Sequence, residues 1–153
     1  MKKIGEYTVR GSIGDGVTAL PDGVEEKIQL FDGRFDTGYR ITGFVVGGGD
    51  MSDPDFTARL TTEPGLPTGI TDFWNWGDNR QVAWCGHNGS TDVMGVDINS
   101  VVDPDNMIIE DLYFSARFAA ADTFRVNYMV TLEKYDISDW QGALTMVRNR
   151  SQA

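Results

Sequence analysis

The stretch "FRVNYMVTLE" (residues 124–133) constrains the fold more than any other part of the chain. Phe124, Val126, Tyr128, Val130 and Leu132 fall on one side of an extended backbone, and Arg125, Asn127, Thr131 and Glu133 fall on the other. One apolar and one polar face at a period of two mark an antiparallel strand that covers a core on one side only. "FTARLTT" (56–62) repeats the pattern, with Phe56, Ala58 and Leu60 set against Thr57, Arg59 and Thr61. In "MIIEDLYFSARF" (107–118), Ile108, Leu112, Phe114, Ala116 and Phe118 nearly alternate. Further strands are expected at 28–31, at 39–46 and within "VDINSVV" (96–102). Asp32-Gly33 reads as a hairpin-type dipeptide, because glycine accepts a positive φ without steric cost.

Eighteen glycines, scattered between short apolar runs, are the punctuation of an all-β chain with many turns. The expectation is therefore all-β: one antiparallel β-sandwich or jelly roll spanning residues 25–137 of the 153. Residues 1–24 mix single apolar residues with Gly, Asp and Pro. They predict an extended N-terminal arm, with one short strand near 7–9, that is either mobile or laid across a neighbouring subunit. Residues 138–153 change period. Trp140, Ala143, Leu144 and Val147 recur at i, i+3, i+4 and i+7, Ser138 and Gln141 have capping-box spacing, and Asp139, Arg148 and Arg150 suit the helix dipole. A C-terminal amphipathic helix of about three turns follows; too short to be stable alone, it is expected to dock on its own sandwich or on a neighbouring subunit.

The net charge of −10 disfavours general binding to phosphate backbones, with Arg148 and Arg150 the local exception. "MKKIGEYTVRGS" has no apolar core of a secretory signal, and no run approaches the 18 apolar residues of a membrane span. A single cysteine forms no internal disulfide, which points to synthesis in a reducing compartment.

The chemistry-bearing residues concentrate in "WNWGDNRQVAWCGH" (74–87), which holds three of the four tryptophans, the one cysteine and the one histidine. Cys85 and His87 share one face of a strand, where a thiolate–imidazolium pair is conceivable; a nucleophilic site also needs an orienting group and an oxyanion hole, and neither is marked. One Cys and one His fall short of the ligands zinc requires. Asp50, Asp53 and Asp55 in one loop, and Asp103, Asp105 and Asn106 in another, offer oxygen ligands suited to Ca²⁺, but the same residues are favoured in turns. No cofactor is expected, with Ca²⁺ the open alternative. Trp74 and Trp76 suit stacking on sugar rings, with Asp78, Asn79 and Arg80 bonding hydroxyls. They equally suit a subunit contact, where Trp and Arg are favoured anchors. Trp84 is expected in the core.

Four stretches together resemble small virion proteins of marine bacteriophages: "LFDGRFDTGYRITGF", "FWNWGDNRQVAW", "VDPDNMIIEDLYF" and "VNYMVTLEKYDISDWQGALTMVRNRSQ". The acidic, glycine-rich composition adds to the resemblance, which covers most of the chain from Lys27 onward. It implies a jelly-roll, capsid-associated protein of the virion (a capsid, penton-like or decoration subunit) without catalytic residues, made in the host cytoplasm. Its partners would be copies of itself and other virion proteins. Trp74, Trp76 and Arg80 would then be interface anchors, and Trp140, Leu144 and Val147 a docking stripe, with Arg148 and Arg150 facing the genome. The alternative is a carbohydrate-binding, lectin-like module that uses Trp74 and Trp76.

Overall fold

In the computed structural model, the described residues are 2–15, 17–18, 20, 23–49, 55–69, 71–87, 98–103, 105–118 and 125–137. Their apolar alternation becomes β1 (Lys2–Ile13), β2 (Val24–Ile28), β3 (Thr37–Gly48), β4 (Phe56–Thr61), β5 (Gln81–His87), β6 (Ile98–Val102), β7 (Met107–Ile108), β8 (Leu112–Phe118) and β9 (Val126–Asp136). The described residues are all-β, in two antiparallel sheets. The first has the order β1-β9-β3-β7 and the second β2-β8-β4-β5-β6. Strands pair in a nested series, β1 with β9, β2 with β8, β3 with β7 and β4 with β5. Among the described residues no helix is long and apolar enough to cross a membrane.

β9 realises the alternation that most constrained the fold. Val126, Tyr128, Val130 and Leu132 are buried between the sheets, whereas Met129 is exposed on the other face; Phe124 lies outside the described residues. In β3 the inward side chains are Ile41, Phe44 and Val46, a spacing that breaks a period of two. A bulge between Ile41 and Gly43 absorbs the extra residue, so that Ile41 still faces Leu132 and Phe44 faces Val130.

The sheets meet through aromatic rings. Phe114 of β8 stacks on Tyr128 of β9, with centroids 4.4 Å apart, and meets Phe44 of β3 edge-on at 6.1 Å. The Tyr128 ring then extends over β1, where a Cβ at Gly11 would come within 2.5 Å of the tyrosine oxygen, so this position requires glycine. At the far side of the molecule, Ser100 of β6 donates a hydrogen bond to the carbonyl of Phe44 and draws the two sheets together.

Three expectations change. Residues 2–13 are not a free arm: β1 is paired along its length with β9 of the same chain, and the short strand expected near 7–9 is its middle. Asp32-Gly33 does turn the chain, with φ +86° at Gly33, but it joins no hairpin. Its flanking strands, β2 and β3, belong to different sheets, so the turn lies in a crossover. The strand expected at 28–31 instead occupies Val24–Ile28, because Asp111 accepts hydrogen bonds from the amides of Leu30 and Phe31 and takes them out of the ladder. The predicted helix, including Trp140, Leu144, Val147, Arg148 and Arg150, lies outside the described residues.

Asp32 anchors this crossover to β9. Its carboxylate accepts from Lys134 Nζ at 2.9 Å, from Thr37 Oγ1 at 3.0 Å and from the Arg34 amide at 3.0 Å. The Lys134 bond is the main reason the carboxyl group titrates down at about 2. Because the folded value is depressed, the stabilisation is complete above the ordinary aspartate range near 4 and is lost as pH falls towards about 2. Urea titrations should therefore find wild type more stable than Asp32→Asn at neutral pH, with the gap closing between about pH 4 and pH 2. A gap independent of pH would show that the ionised carboxylate is not the stabilising group.

Candidate functional site

β4 shows why the tryptophan stretch lies where it does. Phe56, Ala58 and Leu60 face the core, as the alternation predicts, but the opposite face is not wet. Arg59 is fully buried, at 0% exposure. Its cross-strand neighbours are Trp84 on β5 and Ser115 on β8, both also buried. The covering layer is the connection 62–80, which leaves β4, folds over the outer face of the second sheet and returns as β5.

The Arg59 guanidinium organises that layer. Nη1 donates to the carbonyls of Pro67 at 2.8 Å and Phe73 at 2.7 Å, and Nη2 donates to the carbonyl of Leu66 at 3.1 Å. The cation also lies 4.3 Å from the centroid of the Phe73 ring. Burial lowers the arginine pKa, and the nearby carboxylates Glu25 and Asp78 counter the shift. Glu25 itself accepts from Ser115 Oγ at 3.3 Å and from the Gly65 amide at 3.3 Å. A buried cation that satisfies loop carbonyls is a structural clamp; no substrate is needed to explain it.

Most residues singled out in "WNWGDNRQVAWCGH" have a definite place; the His87 side chain lies outside what the structure describes, and only its backbone is placed, at the end of β5 opposite Phe56. Trp74 is half-buried and donates its Nε1–H to the carbonyl of Ala58 at 3.1 Å. Trp84 is buried, as expected, though against the covering loop; its Nε1–H bonds Gln81 Oε1 at 2.9 Å, and the same oxygen accepts the Asn75 amide. Trp76 is 62% exposed, with its ring leaning on Trp84 at 5.6 Å. Arg80 is turned inward to Asp78, through Nε–Oδ1 at 2.9 Å and Nη2–Oδ2 at 2.8 Å, and has Glu63 at 4.0 Å. Burial opposes ionisation of Asp78, but the Arg80 side chain and amide outweigh it and hold the carboxyl group below the ordinary range. Trp76 and Trp84 are thus brought together, as are Asp78 and Arg80, whereas Trp74 is committed to the sheet.

Cys85 lies in the core between the sheets, buried among Phe56, Ala58 and Ala116, and donates weakly to the carbonyl of Gly86 at 3.9 Å. Its surroundings are those of a small apolar residue. In the second acidic loop Asp103 accepts the amide of Asp105 in a turn, and Asn106 Nδ2 donates to the carbonyl of Asn79; of the first loop Asp55 is described, immediately before β4. Asp50 and Asp53 lie outside the described residues. Among the described residues no group of three or more His, Cys, Asp or Glu side chains is placed to hold a metal ion.

Alternation puts Arg59 on the solvent face and gives no sign of Glu25. The available signal was indirect: a connection rich in Pro, Gly and aromatic residues is too long for a tight hairpin and must bury its rings somewhere. Searches of protein-family models, curated proteins and solved structures find no match to this chain.

Arg59→Met should leave the carbonyls of Leu66, Pro67 and Phe73 without their donor and cost about 2–4 kcal/mol in chemical denaturation, with a red shift of tryptophan emission as the layer loosens. Arg59→Lys keeps the charge but cannot reach all three carbonyls, and should fall in between. Wild-type stability in Arg59→Met would remove the clamp.

Proposed function

We propose that this chain is a non-enzymatic virion structural protein, a capsid, penton-like or decoration subunit of jelly-roll fold that works by self-assembly. The observation that carries this reading is the distribution of exposed apolar side chains. Ile4, Tyr7, Val45 and Met129 are all exposed on the first sheet, at its β1 edge and on its outer face. Val45 and Met129 are direct cross-strand partners, so the outer-face pair is contiguous. An exposed apolar pair on an uncovered sheet face, with two more exposed apolar side chains at the sheet's edge, is the surface this reading uses for contacts.

The nested strand pairing supports the jelly roll. A long antiparallel hairpin with its apex at β4–β5, rolled so that successive rungs alternate between two sheets, pairs β1 with β9, β2 with β8, β3 with β7 and β4 with β5. β6 is then an addition at the β5 edge. Jelly rolls serve viral capsids and lectins alike, so the fold narrows the choice without making it. The resemblance to virion proteins tips it towards assembly, in a particle put together in the host cytoplasm with other virion proteins as neighbours. Trp76 is the exposed anchor of the tryptophan stretch. The stripe Trp140, Leu144 and Val147 docks on its own or a neighbouring subunit, and Arg148 and Arg150 turn towards the genome.

Light scattering across a range of concentrations should give a discrete oligomer larger than 16.9 kDa. A mass that stays at the monomer value throughout would count against self-assembly.

One observation favours a carbohydrate-binding role as the second reading: Trp76 presents an open ring beside Trp84. It is weakened because Asp78 and Arg80, the expected hydroxyl ligands, bond each other. Under this alternative, glycans should quench wild-type tryptophan fluorescence and leave Trp76→Ala unchanged. No response across a broad glycan panel would eliminate it.

A further inference from the structure

The β1 strand is twelve residues long, yet among the described residues it pairs on one side only, with β9. The opposite edge of the same sheet is closed differently, by the two-residue β7 and by the Ser100 contact to Phe44. Long open edges template the addition of another strand, and proteins usually blunt them with lysines, prolines or bulges. In β1 these devices are confined to the start: Lys2, Lys3 and the bulge between Lys3 and Gly5. From Gly5 to Ile13 the strand is regular and free of proline and lysine.

That regular segment is chemically self-complementary. It reads Gly5-Glu6-Tyr7-Thr8-Val9-Arg10-Gly11, a pattern of glycine, acid, apolar, Thr, apolar, base and glycine that is symmetric about Thr8. If a second copy of β1 runs antiparallel beside the first about a two-fold axis at Thr8, every position meets its complement. Glu6 faces Arg10 of the other copy, and Arg10 faces Glu6. Tyr7 faces Val9, Gly5 faces Gly11, and Thr8 faces Thr8.

The unused charge points the same way. Glu6 lies across from Glu133 within the chain, and Lys3 bridges both carboxylates, leaving one cation between two anions. Arg10 lies across from Met129 and makes no ion pair among the described residues. Tyr7 and Ile4 are exposed along the same edge. The paired glycines leave room for the rings that already lie over them, Tyr7 at Gly5 and Tyr128 at Gly11.

We propose that two copies of this chain join through β1, edge to edge and antiparallel about Thr8, so that the two first sheets become one continuous sheet locked in register by reciprocal Glu6–Arg10 pairs. The contact is isologous and closes on itself, giving a dimer as the building unit. It rests on the self-assembly reading and gives that reading a specific surface.

Charge reversal tests the register. Glu6→Arg or Arg10→Glu alone turns both symmetric pairs into like-charge pairs, and each should weaken dimerisation about tenfold in sedimentation equilibrium. The double variant restores opposite charges and should return the dimerisation constant close to wild type. Arg10 has no ion-pair partner among the described residues, Lys3 keeps Glu133 when Glu6 is replaced, and near-UV circular dichroism checks that the fold is kept. Independently, Thr8→Cys should be captured as a dimer by a short bis-maleimide. Ser12→Cys should not, because the same pairing sets residue 12 about 27 Å from its copy at about 3.4 Å per residue. If wild type forms oligomers that neither reversal weakens, or if the double variant is as weak as the singles combined, the β1 pairing is wrong and self-assembly stands on another surface. Wild type that remains monomeric overturns both.

Discussion

Phe114 is held between Tyr128 and Phe44, and this contact sets how the two sheets lie on each other. The stack places the Tyr128 hydroxyl at the margin of the core, where it reaches Glu26 of β2 at 3.4 Å. Burial, helped by that carboxylate, pushes the phenol up to about 12, so the hydroxyl stays a neutral donor. One aromatic column therefore connects β8, β9, β3 and β2, and the glycine at position 11 follows from it. Deep apolar burial supplies the driving force, while the aromatic geometry selects a single arrangement of the sheets.

The second sheet differs from the first in having its outer face covered around Arg59, Trp84 and Ser115, while Glu25 and Lys27 of β2 stay exposed. Its inner face meets the aromatic column; its outer face meets the 62–80 layer around Arg59. The first sheet keeps its outer face open, with Val45 and Met129 displayed. This asymmetry divides the labour of the molecule. The covered sheet is a finished surface whose tryptophans are mostly spent on packing, and the open sheet retains the apolar groups available for contacts.

Strands that bury one face against a core were legible from residues alone. The alternation in β4, β8 and β9 identified Leu60, Phe114 and Val130 as core, and each is buried. Arg59 was misread for a physical reason: alternation reports which residues share a face, but what covers that face is decided by a segment later in the chain. Of β1 only the middle, near residues 7–9, is legible, because an edge strand buries little. Its glycines and charges hide a period of two that only Tyr7, Val9 and Ile13 carry. Asp32-Gly33 announced a turn correctly, yet turn chemistry is local and says nothing about which sheet receives the next strand. In the tryptophan stretch, Trp84 is legible as a buried ring from the sequence, whereas only the fold separates Trp74, committed to the sheet, from the exposed Trp76.

The nesting of β1 with β9 has a consequence for how the chain comes to be folded. The first strand described is the partner of the last one described, so β1 lacks its β9 partner until synthesis has passed residue 136. Every other rung of the series closes earlier, from the β4–β5 apex outwards. Long-range pairing of this kind slows folding and lengthens the time an unpaired strand is exposed to other chains. During that interval β1 carries its own chemical match on every sibling chain, and completion of β9 is what leaves it a single edge to offer.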